Sequence, residues 1–270
     1  MTPQTQDEVR NAVRSRYGQI AKTEGSCCST ECCGGESGTA DSLTAPSGEG
    51  CSSASYYSDD EKSSAPQGSN LGLGCGNPLA IASLHSGQTV LDLGSGAGFD
   101  CFLAAKAVGT TGHVIGVDMT PEMISKARKN AVAGNYTNVE FRLGEIEHLP
   151  VADGTVDIIL SNCVINLSPD KQSVMRDAFR VLKHRGRLAI SDIVATQPLP
   201  ENIRTNLAMY SGCMAGATPI DELRAMLHQC GFTDVMVTEK PGSREFIRDW
   251  APGSGIENYV ASANIEAIKP

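Results

Sequence analysis

Apolar positions open the chain at helical spacing: Val9, Val13, Tyr17 and Ile20 predict a short amphipathic helix over 7–22. The pattern then lapses. Between 23 and 70, 19 of 48 residues are Gly or Ser, and Leu43 is the only large aliphatic. Such a stretch has too little apolar surface to offset the entropy lost on ordering. It reads as a loop or linker, ordered only if its thiols take a ligand or it closes over a site. From residue 71 short apolar runs alternate with helical periodicity. The runs predict strands over 89–93, 113–117, 138–143, 155–162 and 187–193, with helices over 99–107, 121–133 and 169–182 between them. Thr120 and Pro121 offer an N-cap and a first helical residue. Val174, Ala178, Val181 and Leu182 make one apolar stripe. The tail predicts helices over 201–214 and 219–230, then strands over 234–239 and 259–267.

Strands joined by helical crossovers imply a mostly parallel sheet covered on both faces. Right-handed crossovers make it a doubly wound, Rossmann-like α/β fold. The chain divides into an N-terminal helix with a Cys-rich Gly/Ser linker (1–70), a core of alternating strands and helices (71–195) and a C-terminal extension that completes the sheet (196–270). Charge narrows the partners. With 22 Lys+Arg against 31 Asp+Glu the formal charge is −9, which argues against nucleic acid, whose binding needs a basic surface. No apolar run approaches the roughly 18 residues of a membrane helix, and residues 1–19 lack a signal-peptide apolar stretch. A cytoplasmic protein without a membrane partner is expected.

The segment 90–100, VLDLGSGAGFD, joins a strand to a helix through Gly94, Gly96 and Gly98. Positions without side chains let the backbone turn tightly and approach a ligand at a helix N-terminus. A dinucleotide site wants G-x-G-x-x-G, and Phe99 occupies the place of its last Gly. With Asp92 just ahead and Ser95 between the first two glycines, the loop resembles motif I of class I S-adenosylmethionine-dependent methyltransferases. Asp118 ends the second strand, where a carboxylate can accept ribose hydroxyls, and Met119 follows, placed to pack on adenine. The stretch Gly144 to Pro150, with Glu145, Ile146 and Glu147, resembles the adenine loop of the same enzymes, and Asn162 lines the pocket by position along with Leu73.

Ten cysteines without a secretory signal are expected to stay mostly reduced, which favours soft-ion or redox chemistry over a disulfide scaffold. Cys27, Cys28, Cys32, Cys33 and Cys51 precede the core; the other five lie singly along it. Cys163 ends the fourth strand, at the crevice where strand order reverses. Cys75 sits among glycines that leave its thiol accessible, and Cys213 lies in the insertion after the fifth strand. Cys101 and Cys230 read as small buried hydrophobes. Zinc wants four ligands, usually in pairs; three singletons suit a three-coordinate soft ion better.

The runs LGLGCGNP (71–78) and SNCVINL (161–167), the 91–104 block and the RVLKH turn (180–184) closely resemble microbial arsenite methyltransferases. In that family three cysteines bind trivalent arsenic, and they match Cys75, Cys163 and Cys213. Some members use a fourth, N-terminal cysteine, for which this chain has five candidates. The resemblance implies a thiol-bound arsenite or methylarsenite substrate and S-adenosylmethionine as methyl donor. It also implies a thioredoxin or glutathione system that reopens a cysteine disulfide after each cycle. Two alternatives remain: a methyltransferase of a small organic acceptor, and a non-catalytic soft-metal-binding protein.

Overall fold

The computed structural model describes residues 5–22, 56–204 and 206–270. The strands are β1 (Thr89–Leu93), β2 (His113–Asp118), β3 (Val139–Leu143), β4 (Val156–Asn162), β5 (Leu182–Ala195), β6 (Thr218–Pro219), β7 (Thr233–Glu239) and β8 (Val260–Ile268). They form one sheet in the order β3-β2-β1-β4-β5-β8-β7, with β6 on the end of β5. Pairs from β3 through β5 are parallel. β8 runs antiparallel between β5 and β7, in register from Arg187↔Ile268 to Ala195↔Val260. The mostly parallel, doubly wound class I methyltransferase fold expected from the sequence is therefore the one observed.

The helices are α1 (Gln6–Lys22), α2 (Asp59–Ser64), α3 (Leu79–Ala82), α4 (Phe99–Val108), α5 (Pro121–Ala133), α6 (Lys171–Val181), α7 (Glu201–Arg204), α8 (Leu207–Ser211), α9 (Ile220–Gln229) and α10 (Ser243–Trp250). Strand alternation sorts the core into two layers. Leu91, Leu93, Ile115, Val117 and Ile159 face α6 and α9, whereas Val90, Val114, Ile158 and Leu160 face α4 and α5. The order reverses between β1 and β4, which opens a crevice at their carboxyl ends.

Four local expectations need correction. The helix expected over 201–214 is broken into α7 and α8, because Asn206 Oδ1 caps a new start by accepting Met209 N–H at 3.2 Å. Thr120 stands at the N-cap of α5 without a side-chain cap bond; its own N–H goes to Asp118 Oδ1 instead. The stretch read as a linker contains α2, started by a capping box between Ser58 and Glu61. α10 was not foreseen. The N-terminal cysteines Cys27, Cys28, Cys32, Cys33 and Cys51 lie outside the described residues.

Candidate functional site

The loop after β1 takes its shape from glycine. Gly94, Gly96 and Gly98 have φ of 69°, 51° and 94°, a region costly for residues with a Cβ. A Cβ on Gly94 would stand 2.5 Å from Val164 Cγ1, and one on Gly98 2.7 Å from Phe141 Cζ. Gly96 differs: nothing lies within 4 Å of its absent Cβ. Asp118 pins this loop, since its Oδ2 accepts Gly96 N–H at 3.0 Å. Burial raises the Asp118 carboxyl above the usual range, against the bonds from Thr120 and Gly96 that lower it.

Above the loop lies a cleft of about 1100 Å³, counted out to its open mouth. Asp92, Gly94, Ser95, Gly96, Asp118, Met119, Ile146, Glu147 and Asn162 line it, and so does Leu73. Gly98 stands behind it as the N-cap of α4. Glu145 turns outward to ion pairs with Arg10 at 3.7 Å and Arg14 at 3.2 Å. Ser95 Oγ is buried with no hydrogen-bond partner among the described residues. Asp92 is 2% exposed, and burial first, then neighbouring Asp100, push its carboxyl well up. Asp100 rises to about 6 through burial, although bonds from Tyr57 (2.5 Å) and Asn162 oppose the shift.

Of the three cysteines, Cys163 reaches the edge of this cleft and the other two lie behind it. Cys163, at φ 59°, lines it directly and is disulfide-bonded to Cys75, with the two Cα atoms 5.8 Å apart. Cys213, at φ 65°, donates from Sγ to Cys163 O at 2.7 Å. The third group whose ligand atom lies within 4.8 Å of both Cys75 and Cys163 sulfurs is the carboxylate of Asp192 rather than Cys213. Left-handed backbone at two cysteines of one cluster is the kind of strain that concentrates at functional sites. Burial is nearly complete, at 0%, 5% and 4% for Cys75, Cys163 and Cys213.

This overturns the accessible thiol expected at Cys75. Its flanking glycines serve close packing: a Cβ on Gly74 would stand 2.5 Å from Asn162 Nδ2, and one on Gly76 would overlap Lys240 Nζ. The bonded pair is an exception among thiols expected to stay mostly reduced: Cys101, Cys213 and Cys230 are free, while the fold sets Cys75 and Cys163 at disulfide spacing. Cys101 is fully buried against Asp92 Oδ2 at 3.3 Å. Cys230 is half-buried and accepts from Gln172 Nε2.

Residues 84–231 match a family of methyltransferase domains. The chain is 51% identical to the arsenite methyltransferase of Halobacterium salinarum, over 98% of its own length and 67% of that protein's. The chain belongs to the arsenite methyltransferase family. Its similarity extends to the human arsenite methyltransferase, at 42% identity over 59% of this chain and 44% of that one. Among solved structures, an arsenic (III) S-adenosylmethionine methyltransferase from Chlamydomonas reinhardtii superposes with a TM-score of 0.60 at 33% identity, covering 80% of this chain and 71% of that one. The chain thus spans two thirds of the haloarchaeal relative and under half of the human one.

Several groups at the site of this arsenite methyltransferase-family chain carry no sequence motif. Arg10, Val13 and Tyr17 bring α1 across the cleft as one of its walls. Arg10 reaches Glu147 Oε1 at 3.4 Å, and Arg16 reaches Ser211 Oγ at 3.2 Å, so α1 touches both the 145–147 loop and the thiol-bearing segment. Tyr57 and Asp100 join the cleft lining as a hydrogen-bonded pair. The helical spacing of Val13 and Tyr17 was visible in the sequence; the partner it packs on was not.

Proposed function

We propose that this chain transfers methyl groups from S-adenosylmethionine to trivalent arsenic held by Cys75, Cys163 and Cys213. One observation carries the reading. In a chain of this family, Cys163, the residue just after β4, both lines the cleft and is bonded to a second cysteine, while the third donates to its carbonyl.

The cleft suits the donor. Ser95, in the cleft lining, carries a buried hydroxyl without a partner among the described residues, Gly96 leaves room where a Cβ would intrude, and the Asp118 carboxylate closes the end of β2. Asp92, Gly94, Ser95, Gly96 and Gly98 form the loop that would hold it. Asp118 would take the ribose hydroxyls, Met119 and Ile146 the adenine faces, with Glu145, Glu147 and Asn162 around them. When bound, S-adenosylmethionine supplies an electrophilic sulfonium methyl.

Sulfur ligands suit a soft, three-coordinate ion. Three As–S bonds leave arsenic with its lone pair as the nucleophile, so no side chain must remove a proton. The chain's work is alignment of the thiol cluster with the cleft. Before arsenic enters, the Cys75–Cys163 bond must open: two small thiols, from glutathione or thioredoxin, become one disulfide while the protein gains two thiols. Cytoplasmic residence fits that requirement. The 1–70, 71–195 and 196–270 division assigns these tasks to an N-terminal segment, a donor-binding core and a substrate-binding extension.

Purified protein incubated with arsenite, S-adenosylmethionine and thiol, followed by arsenic speciation, tests the reading. Methylated arsenic is expected, and Cys163→Ser is expected to abolish it while leaving donor affinity within about twofold. Full arsenite turnover by that variant removes the thiol from its role. Donor consumption without methylated arsenic points to an organic acceptor; tight arsenite binding without donor consumption points to sequestration.

A further inference from the structure

Asn162 makes bonds that a cleft-lining residue does not need. Its Oδ1 accepts the backbone N–H of Cys75 at 3.0 Å, and its Nδ2 donates to Gly76 O at 2.8 Å. The side-chain amide thus pairs with the 75–76 backbone as a neighbouring strand would, one residue ahead of Cys163 in the chain. Gly74 permits this approach, because a Cβ there would collide with the same amide. The other side of the Cys75 loop is also held: Ser262 Oγ of β8 donates to Cys75 O at 2.9 Å. Ser191 O of β5 accepts Cys163 N–H at 2.8 Å and lies 3.6 Å from Cys75 Sγ.

We propose that Asn162 is the positioning residue that sets the spacing of Cys75 and Cys163, so that the two thiols act as one pre-formed pair. Without it, the Cys75 loop keeps its contacts to Ser262 and Ser191 but loses the amide that ties it to the end of β4, beside Cys163. A loop tethered on both sides of its reacting residue holds its thiol at higher effective concentration over its partner than one held on a single side. The same amide also faces the cleft, donating to Tyr57 OH at 3.0 Å and approaching Asp100 Oδ2 at 3.4 Å, while Tyr57 OH donates to Asp100 Oδ1. Its thiol-facing and cleft-facing bonds are therefore separable by mutation. The catalytic meaning of this clamp rests on the arsenic reading above, but the clamp itself concerns two thiols and is measured without arsenic.

The experiment equilibrates the full chain with mixtures of reduced and oxidised glutathione, quenches with an alkylating agent, and quantifies the Cys75–Cys163 cross-linked peptide by mass spectrometry. The reaction is balanced as two protein thiols plus one glutathione disulfide giving one protein disulfide plus two glutathione thiols. Asn162→Ala is expected to lower the equilibrium constant for the protein disulfide by about tenfold, the weight of one to two ordinary hydrogen bonds. Asn162→Asp keeps the side-chain volume and the bond to Cys75 N–H but sets an acceptor against Gly76 O. It is expected to shift the constant in the same direction, and it carries the test if the alanine variant does not fold. Tyr57→Phe removes the two cleft-side bonds of its hydroxyl, from Asn162 and to Asp100, keeps both bonds of Asn162 to the 75–76 backbone, and is expected to leave the constant within about twofold. An unchanged constant in folded Asn162→Ala or Asn162→Asp overturns the proposal, as does an equal shift in Tyr57→Phe. Loss of donor affinity in the Asn162 variants with no thiol shift would reduce Asn162 to a cofactor contact and likewise overturn it. Failure of arsenite methylation by the unmodified protein sinks the functional reading and leaves this result standing.

Discussion

The glycine loop offers a paired test of what each glycine is for. Gly96 and Gly98 share positive φ, so alanine at either carries the left-handed penalty of roughly 1–2 kcal/mol. They differ in what the new methyl meets. At Gly98 it would press on Phe141 Cζ at 2.7 Å and Phe102 Cε2 at 2.8 Å, two rings of the buried core on the α4 side. Overpacking of that kind adds about 1–3 kcal/mol, for a total of roughly 2–5 kcal/mol lost by Gly98→Ala. At Gly96, which lines the cleft, the methyl meets no atom of the described residues within 4 Å. Gly96→Ala should therefore lose only the backbone penalty, and its main effect should fall on donor affinity, by at least about tenfold, because the methyl takes space that a ligand approaching the loop would use. Urea denaturation gives the first quantity, and calorimetric titration with S-adenosylhomocysteine gives the second. Equal destabilisation of both variants, or unimpaired titration by Gly96→Ala, would refute the division of labour.

Other substitutions test separate parts of the site. Ser95→Ala removes a buried hydroxyl without a partner among the described residues, so the free protein should be unchanged or up to about 1 kcal/mol more stable while S-adenosylhomocysteine binding weakens; unchanged binding would count against Ser95 as a donor contact. Burial lowers the Lys240 ammonium to about 8, with Asp192 opposing the shift, and Nζ donates to Ser191 Oγ at 2.8 Å. A lysine with a depressed folded pKa binds fewer protons folded than unfolded between that value and its ordinary one. Stability should therefore rise with pH from about 8 to 10.5, by on the order of 1 kcal/mol after solvent screening, and Lys240→Met should lose that rise in denaturation curves at several pH values. Arg10→Met removes the ion pair to the 5%-exposed Glu147, which still accepts from Ser168 Oγ at 2.6 Å. Loosened α1 should weaken donor binding severalfold at low salt, and an affinity equal to that of the unmodified protein would show that α1 does not close the cleft.

The parallel half of the fold was legible because its strands are buried on both faces and its helices are amphipathic. Leu91, Leu93, Val114 and Ile158 announce themselves by hydrophobicity alone. The motif residues of the donor loop were legible for another reason: tight turns leave few residue choices, and Gly94, Gly96 and Asp118 follow one another at fixed spacing. Two missed helices had local signals that the surrounding composition hid. The Ser58-to-Glu61 capping box sat inside a Gly/Ser-rich stretch, and Ser243 and Ile247 bury one face of α10 between glycine-bounded turns. What sequence could not give was the environment of Cys75. Its burial depends on Asn162, Lys240 and Ser262, which lie 87, 165 and 187 positions away, and only the insertion of β8 beside β5 assembles them. Glycines on both sides of a thiol fit exposure and close packing equally well from sequence alone.

Nearly complete burial raises a question about the proposed chemistry, because the thiolate is the form that binds soft ions. Burial first, and then Asp192, push the Cys213 thiol well up, against a hydrogen bond from Tyr17 and the charges of Arg16 and Lys171. At neutral pH Cys213 is a neutral thiol donating to Cys163 O. That state does not obstruct arsenic capture. When As–OH exchanges for As–S, hydroxide must leave, and it leaves as water only if it receives a proton. A neutral thiol brings that proton with it: one S–H and one As–O bond break, one As–S and one O–H bond form, and no net charge enters the buried cluster. A permanently ionised trio of thiolates would face the far greater cost of holding three negative charges out of water before any arsenic arrived. On the proposed reading Cys213 therefore waits as a protonated thiol. On this account arsenite loading should be flat with pH through the neutral range, whereas a site that binds through a free thiolate should load faster as pH rises. Measuring the rate of arsenite uptake by the reduced protein from pH 6 to 8.5 separates the two, and a tenfold rise per pH unit would contradict the neutral-thiol route.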